Sequence, residues 1–219
     1  MFGDFECRET MEDLSKYGLL SFGFDAKKAD DWGNEQYKDW MKRNKNIKED
    51  IEFYTYTGHL AIRGLLDGTG NYSQEVKKID ENLHRGLQDA ALPEDIVLYR
   101  AISQIALNKM LKESGYDGNL NAGFVLRDNS YMSCSVVANN SFNTQPSKKV
   151  IFRIAAQKGQ HAAYINKWSS VKNDEYEMLV DKNSYIYVSN CYYVPRKAVT
   201  GIGKDEDVVL VVEGELLQK

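Results

Sequence analysis

The sequence predicts an α+β fold, and three observations carry that expectation. Helical periodicity dominates the chain up to Pro93. Short apolar runs rich in Val, Ile and Tyr dominate from Asp95 onward. No internal repeat, low-complexity segment or linker separates the two regions, so one domain is expected to hold both.

The elements follow in order. Ala29, Trp32, Tyr37, Trp40 and Met41 fall on one face of a helix from about Asp25 to Arg43, with Gly33 as a weak point. A second helical stretch, Asp50 to Leu66, carries Ile51, Tyr54, Leu60, Ile62 and Leu65, and Gly58 is a candidate break. Asp67-Gly68-Thr69-Gly70-Asn71 is a turn; it lacks the Lys-Ser/Thr ending of a phosphate-binding loop. Ser73 reads as an N-cap, and Val76, Ile79, Leu83 and Leu87 follow at three- and four-residue steps. Strands are then expected near Ile96–Ala101, Gly123–Leu126, Tyr131–Val136, Val150–Ile154, Ala162–Ile165, Tyr185–Val188 and Val208–Val212, with a short helix at Ala106–Lys112.

Bulk properties remove several function classes. The chain has 219 residues, 42% of them hydrophobic, and a formal net charge of -4, which is enough apolar material for a sizeable core. Its densest basic run, Lys42 to Lys48, is short and is followed at once by Glu49 and Asp50, so nucleic acid is not expected as a partner. Cys7, Cys134 and Cys191 stand far apart, which argues against a zinc site and against a disulfide framework. No metal is expected. The N-terminus is acidic and lacks the apolar core of a signal peptide, and no apolar stretch is long enough to span a bilayer, so no membrane partner is expected. His59, His84 and His161 are scattered and suggest no nucleophilic triad.

The stretch with the clearest chemistry is Asp174 to Val180. Read as a strand, it places Glu175 and Glu177 on one face and turns Tyr176, Met178 and Val180 into the core. Alone, such a pair is most often a solvated face. Two other features stand before it in the chain: Arg100 at the end of Val97-Leu98-Tyr99-Arg100, and Ser133-Cys134-Ser135 on a later strand.

This ordered set resembles the arginine–serine–glutamate pattern of toxin-type ADP-ribosyltransferases. Lys158-Gly159 followed by Ala162-Ala163-Tyr164-Ile165 resembles a further strand of that family. The opening Ala29-x-x-Trp32-Gly33-x-x-x-Tyr37-x-x-Trp40 is similar to the first helix of actin-modifying binary toxin enzymes. The fold implied is a set of N-terminal helices packed on a two-sheet β core, with 1–49 as a helical N-terminal extension and 50–219 as the catalytic core of a single domain, 1–219. Three positions depart from the pattern: Cys134 replaces Thr, Ala101 follows the arginine where Gly or a charged residue is common, and Arg63 stands where Asn is frequent.

The resemblance implies NAD as co-substrate, and the residue types suit it. Arg100, with Ala101 beside it, would fork onto the pyrophosphate oxygens. Ser133 would orient Glu177, whose carboxylate would stabilise positive charge on the ribose as the nicotinamide bond breaks. Glu175 would position or deprotonate the nucleophile. Phe142 would stack on nicotinamide, and Tyr54 and Arg63 would line the cofactor cleft. The stretch from Asn166 to Asp174, with Trp168, occupies the place of the loop that touches a protein substrate. The expectation is mono-ADP-ribosyl transfer to a protein of a target cell, arginine leading as acceptor and actin as first target, in the cytosol of that cell. NAD glycohydrolysis and a silent binding module of the same fold are the alternatives.

Overall fold

The computed structural model describes residues 5–171 and 175–218. A 3-10 turn spans Leu14–Tyr17, and the α-helices begin only at Ala26, later than a helical extension over 1–49 implies. Before that turn the chain bridges to a later strand: the Arg8 amide donates to the Tyr193 carbonyl (2.8 Å) and the Tyr193 amide to that of Glu6 (2.8 Å).

Helix α1 (Ala26–Gln36) starts at Asp25, whose carboxylate accepts from the Lys28 amide, and α2 (Lys38–Arg43) follows after Tyr37. Ala29, Tyr37, Trp40 and Met41 are all buried. Gly33 serves a purpose here: a Cβ at that position would lie 2.2 Å from the Tyr164 ring, so only glycine lets the helix approach so closely. Helix α3 (Lys48–Phe53) continues through a π-helical turn, Tyr54–Gly58, into α4 (His59–Leu66). Gly58 therefore widens the helix and does not end it. Helix α5 (Gln74–Gln88) is capped by the Ser73 hydroxyl, which accepts from the Val76 amide (3.3 Å), and it buries Ile79, Leu83 and Leu87.

Strand β1 (Ile96–Ile102) leads to α6 (Gln104–Glu113), then β2 (Val125–Asp128), β3 (Met132–Ser135), β4 (Val150–Ala156), β5 (Ala162–Tyr164) and β6 (Glu177–Val180). Strand β7 (Ser184–Pro195), helix α7 (Arg196–Thr200) and strand β8 (Val208–Leu217) complete the described chain. The α+β class holds. The strands form one continuous eight-stranded sheet, ordered β2-β7-β8-β4-β1-β3-β6-β5, in place of two separate sheets. Its halves meet at a narrow seam, since β1 and β3 share only the pair Tyr99↔Ser135. The largest core cluster joins Ala29, Trp40, Leu83 and Leu87 of the helices to Leu98, Phe152 and Leu179 of the sheet.

The strand expected from Asp174 is shorter than its sequence suggests. Asp174 lies outside the described residues, and β6 begins only at Glu177. Tyr176 has φ of 47°, a left-handed backbone that breaks the pleat before it can start. Glu175 thus lies off the strand, and the alternation of faces does not apply to it. All four residues of β6 are buried, because the strand lies between β3 and β5.

Candidate active site

The seam of the sheet opens into a cleft of about 570 Å³ lined by Arg100 and Ala101 of β1, Ser133 of β3, Glu177 of β6, and Glu175 just before it. Tyr54 from the π-helical turn and Arg63 from α4 close one side, and Phe142 stands on the rim. The structure brings together every residue the sequence pattern assigned to the cofactor or to catalysis. It excludes Trp168.

Arg100 is held from two directions. Its Nη2 donates to Asp128 Oδ2 (2.9 Å) and its Nη1 to the Ser133 carbonyl (3.2 Å). Arg63 Nη2 donates to the same Asp128 carboxylate, at 3.2 and 3.3 Å. Asp128 is buried, and two guanidinium groups compensate its charge. This residue escaped the sequence reading. In Arg127-Asp128-Asn129-Ser130 it looks like ordinary turn chemistry, and only the sheet brings it beside Arg100.

Glu177 is 4% exposed, and its Oε2 is buried without a hydrogen-bond partner. Burial pushes its carboxyl up to about 7; the Ser133 hydroxyl and the Arg100 charge act against that rise. Glu175 is half-buried, and burial together with the charge of Glu177 raises it as well, to about 7. Among the described residues that line the cleft, Glu177 Oε2 and Asn143 Oδ1 are buried acceptors without a partner, and Arg100 Nε is a buried donor without one. Such a donor and acceptor fit a ligand that carries both anionic oxygens and hydroxyl groups.

Phe142 is 41% exposed, with Lys148 Nζ 5.6 Å from its ring centroid. Its loop is fixed from beneath. Asn140 Oδ1 accepts from the amides of Phe142 (2.8 Å) and Asn143 (2.9 Å). The fully buried Arg196 donates to the carbonyls of Asn143 (2.6 Å) and Lys148 (2.8 Å). Tyr54 is buried, and its hydroxyl donates to the Tyr131 carbonyl (3.4 Å).

Trp168 had two readings, a surface contact for a protein substrate or packing under its loop, and the structure corrects the first: Trp168 is 8% exposed and packs at 5.4 Å from the Trp40 ring. Burial of its large apolar area outweighs exposure on a loop. The last three residues of that loop, Lys172 to Asp174, lie outside the described residues. Among the described residues, no group of three or more His, Cys, Asp or Glu could hold a metal ion, and no helix is long and apolar enough to cross a membrane.

The fold and this cleft define a class. A family model described as ADP-ribosyltransferase exoenzyme matches residues 29–219, and the chain belongs to that family. It is thus an ADP-ribosyltransferase of the toxin type, with NAD as co-substrate.

Particular structures resemble it. Plx2a, an ADP-ribosyltransferase toxin from Paenibacillus larvae, is 23% identical over 91% of this chain and 100% of its own, with a TM-score of 0.74. BECa, an ADP-ribosylating toxin of a binary enterotoxin of C. perfringens solved with NADH, is 27% identical over 91% of this chain, with a TM-score of 0.72. The match spans 50% of BECa. C3stau2 from S. aureus, solved with NAD, is 18% identical over 98% of this chain and 100% of its own, with a TM-score of 0.68. No curated protein sequence matches the chain.

Proposed function

We propose that this protein is a mono-ADP-ribosyltransferase that moves ADP-ribose from NAD to a protein side chain, arginine first among acceptors. The carrying observation is the pair of buried atoms without partners, Arg100 Nε and Glu177 Oε2, in one cleft. NAD supplies the pyrophosphate and the nicotinamide–ribose bond whose cleavage transfers ADP-ribose.

Arg100, kept rigid by Asp128 and the Ser133 carbonyl, would hold the pyrophosphate oxygens, and Arg63 would add charge beside it. Phe142 offers an exposed ring at the rim for stacking on nicotinamide. Glu177 would accept from a ribose hydroxyl, and its ionised form would balance positive charge as the bond breaks. Ser133 and Arg100 favour that ionised form against the pull of burial. Glu175 would orient the acceptor and take its proton; a carboxyl raised to about 7 is well placed for a base near neutral pH.

Arginine leads because the first residue of the Glu-x-Glu motif is Glu175. Actin is the first protein to try. The likeness of the stretch from Ala29 to Trp40 to binary toxin enzymes supports that choice, as does the similarity to BECa. The site of action proposed is the cytosol of a target cell.

The test is incubation with NAD and a cell lysate, with purified actin in parallel, beside Glu177→Gln. Nicotinamide release and ADP-ribose on proteins would be followed by mass spectrometry. Labelling that depends on Glu177 supports transfer and reveals the acceptor. Free ADP-ribose without labelling, in lysate and on actin, replaces transfer with glycohydrolysis. Absence of both turnover and NAD binding refutes the enzyme reading and leaves a binding module.

A further inference from the structure

Tyr176 separates the two catalytic carboxylates, and its backbone is left-handed, with φ of 47°. Tyrosine has no intrinsic liking for that region, where glycine, asparagine, aspartate and histidine are the usual occupants. Something must hold it there. Three restraints are in place. The Tyr176 carbonyl accepts from the Val136 amide (3.2 Å), directly after the serine motif. The next carbonyl, that of Glu177, accepts from the Ile165 amide (2.9 Å) on the other side. The Tyr176 ring is half-buried and packs against the main core. The turn has a geometric result: Glu177 stays in the sheet, buried, while Glu175 leaves the line of the strand and lines the cleft half-buried.

We propose that Tyr176 is a positioning residue whose left-handed backbone, fastened to Val136, sets Glu175 against the acceptor while Glu177 stays beside the co-substrate. The proposal rests on the roles assigned above to the two carboxylates. It makes the turn decide between the two fates of ADP-ribose. Loss of the turn displaces Glu175 and spares Glu177, so transfer to an acceptor falls while nicotinamide release to water persists.

The informative comparison is Tyr176→Asn against Tyr176→Val. Both remove the ring and are similar in size. Asparagine tolerates positive φ, whereas β-branched valine does not. Two readouts apply. The first is the ratio of ADP-ribosyl-agmatine, a small guanidino acceptor, to free ADP-ribose at equal nicotinamide release. The second is hydrogen exchange of the Val136 amide by NMR, which needs no activity.

The expected result is a ratio near wild type for Tyr176→Asn and one lower by roughly tenfold for Tyr176→Val, from the penalty of a left-handed backbone. Val136 protection should persist in the first and fall in the second. Equal ratios and equal exchange in the two variants would overturn the proposal. If the wild type releases no nicotinamide, the transferase reading fails, and Val136 exchange still judges the turn. If ring loss unfolds both, Tyr176→His against Tyr176→Ile repeats the comparison with more volume kept.

Discussion

Substituting Glu177→Gln should depress catalysis and stabilise the protein, with a pH dependence that identifies the cause. Glu177 is 4% exposed and lacks a partner for Oε2, and its carboxyl is raised from 4.5 to about 7. The sign follows from linkage. Between those two values the folded state holds a proton that the unfolded chain has released. Stability therefore falls as pH rises through that window, and the loss is complete above about 7. The size is about 3 kcal/mol for one buried carboxyl moved by that amount. Glutamine has nearly the same shape and carries no charge at any pH.

At about pH 4 both forms are neutral at this position, and their stabilities should nearly coincide. At about pH 8 the variant should be more stable by about 3 kcal/mol, a shift of roughly 1 M in the urea midpoint for a chain of this size. Glu175 adds in the same direction, because the Glu177 charge that helps raise it disappears in the variant. Activity should fall by about 10²-fold or more, since the developing positive charge loses its carboxylate. Urea unfolding of both forms at the two pH values is the assay. A variant no more stable at pH 8 than the wild type would refute the argument. So would a difference that is the same at pH 4, because that would trace it to packing and not to the buried charge.

Other expectations follow from the same geometry. Arg100→Lys keeps the charge and loses the fork, so NAD binding measured by calorimetry should weaken by about tenfold or more while the fold persists. Asp128→Asn leaves Arg63 and Arg100 without their common counter-charge; the thermal transition should report a loss of about 2–4 kcal/mol. Trp168→Ala should cost about 3–5 kcal/mol by opening a hole against Trp40. The milder Trp168→Phe should leave the KM for the protein acceptor unchanged, which a surface contact would not.

What could be read from the sequence was local. Ser73 announces α5 because a cap and its amide are three residues apart, and the spacing of Ile79, Leu83 and Leu87 repeats with the helical turn. Arg100, Ser133 and Glu177 were legible as an ordered set, and all three line one cleft. What failed was set by distant partners. The strand expected at Tyr185–Val188 runs on to Pro195, because β7 pairs with β8 along that length, with one irregularity between Val188 and Asn190. Trp168 lies on a loop, and its burial depends on Trp40, far away in sequence. Tyr176 carries no mark of a left-handed residue; its conformation is imposed by Val136, Ile165 and the core.

The cleft itself has the same origin. Strands β1 and β3 pair at Tyr99↔Ser135 and nowhere else, so they diverge toward Arg100 and Ser133. A continuous ladder would have filled that space with backbone hydrogen bonds and left no room for a ligand. Where it stops, the Ser133 carbonyl is taken by the Arg100 guanidinium, and the side chain is held rigid by a group that a longer pairing would have used. On the far side of β3 the ladder to β6 is intact, from Met132↔Val180 to Ser135↔Glu177, and it carries Glu177 into the opening at fixed register. One sheet thus supplies rigidity on one edge of β3 and an opening on the other. The cost of that opening is visible in its two raised carboxyls and its buried atoms without partners. Arg100 Nε and Glu177 Oε2 come together in this one opening, a donor and an acceptor that a bound ligand would complete.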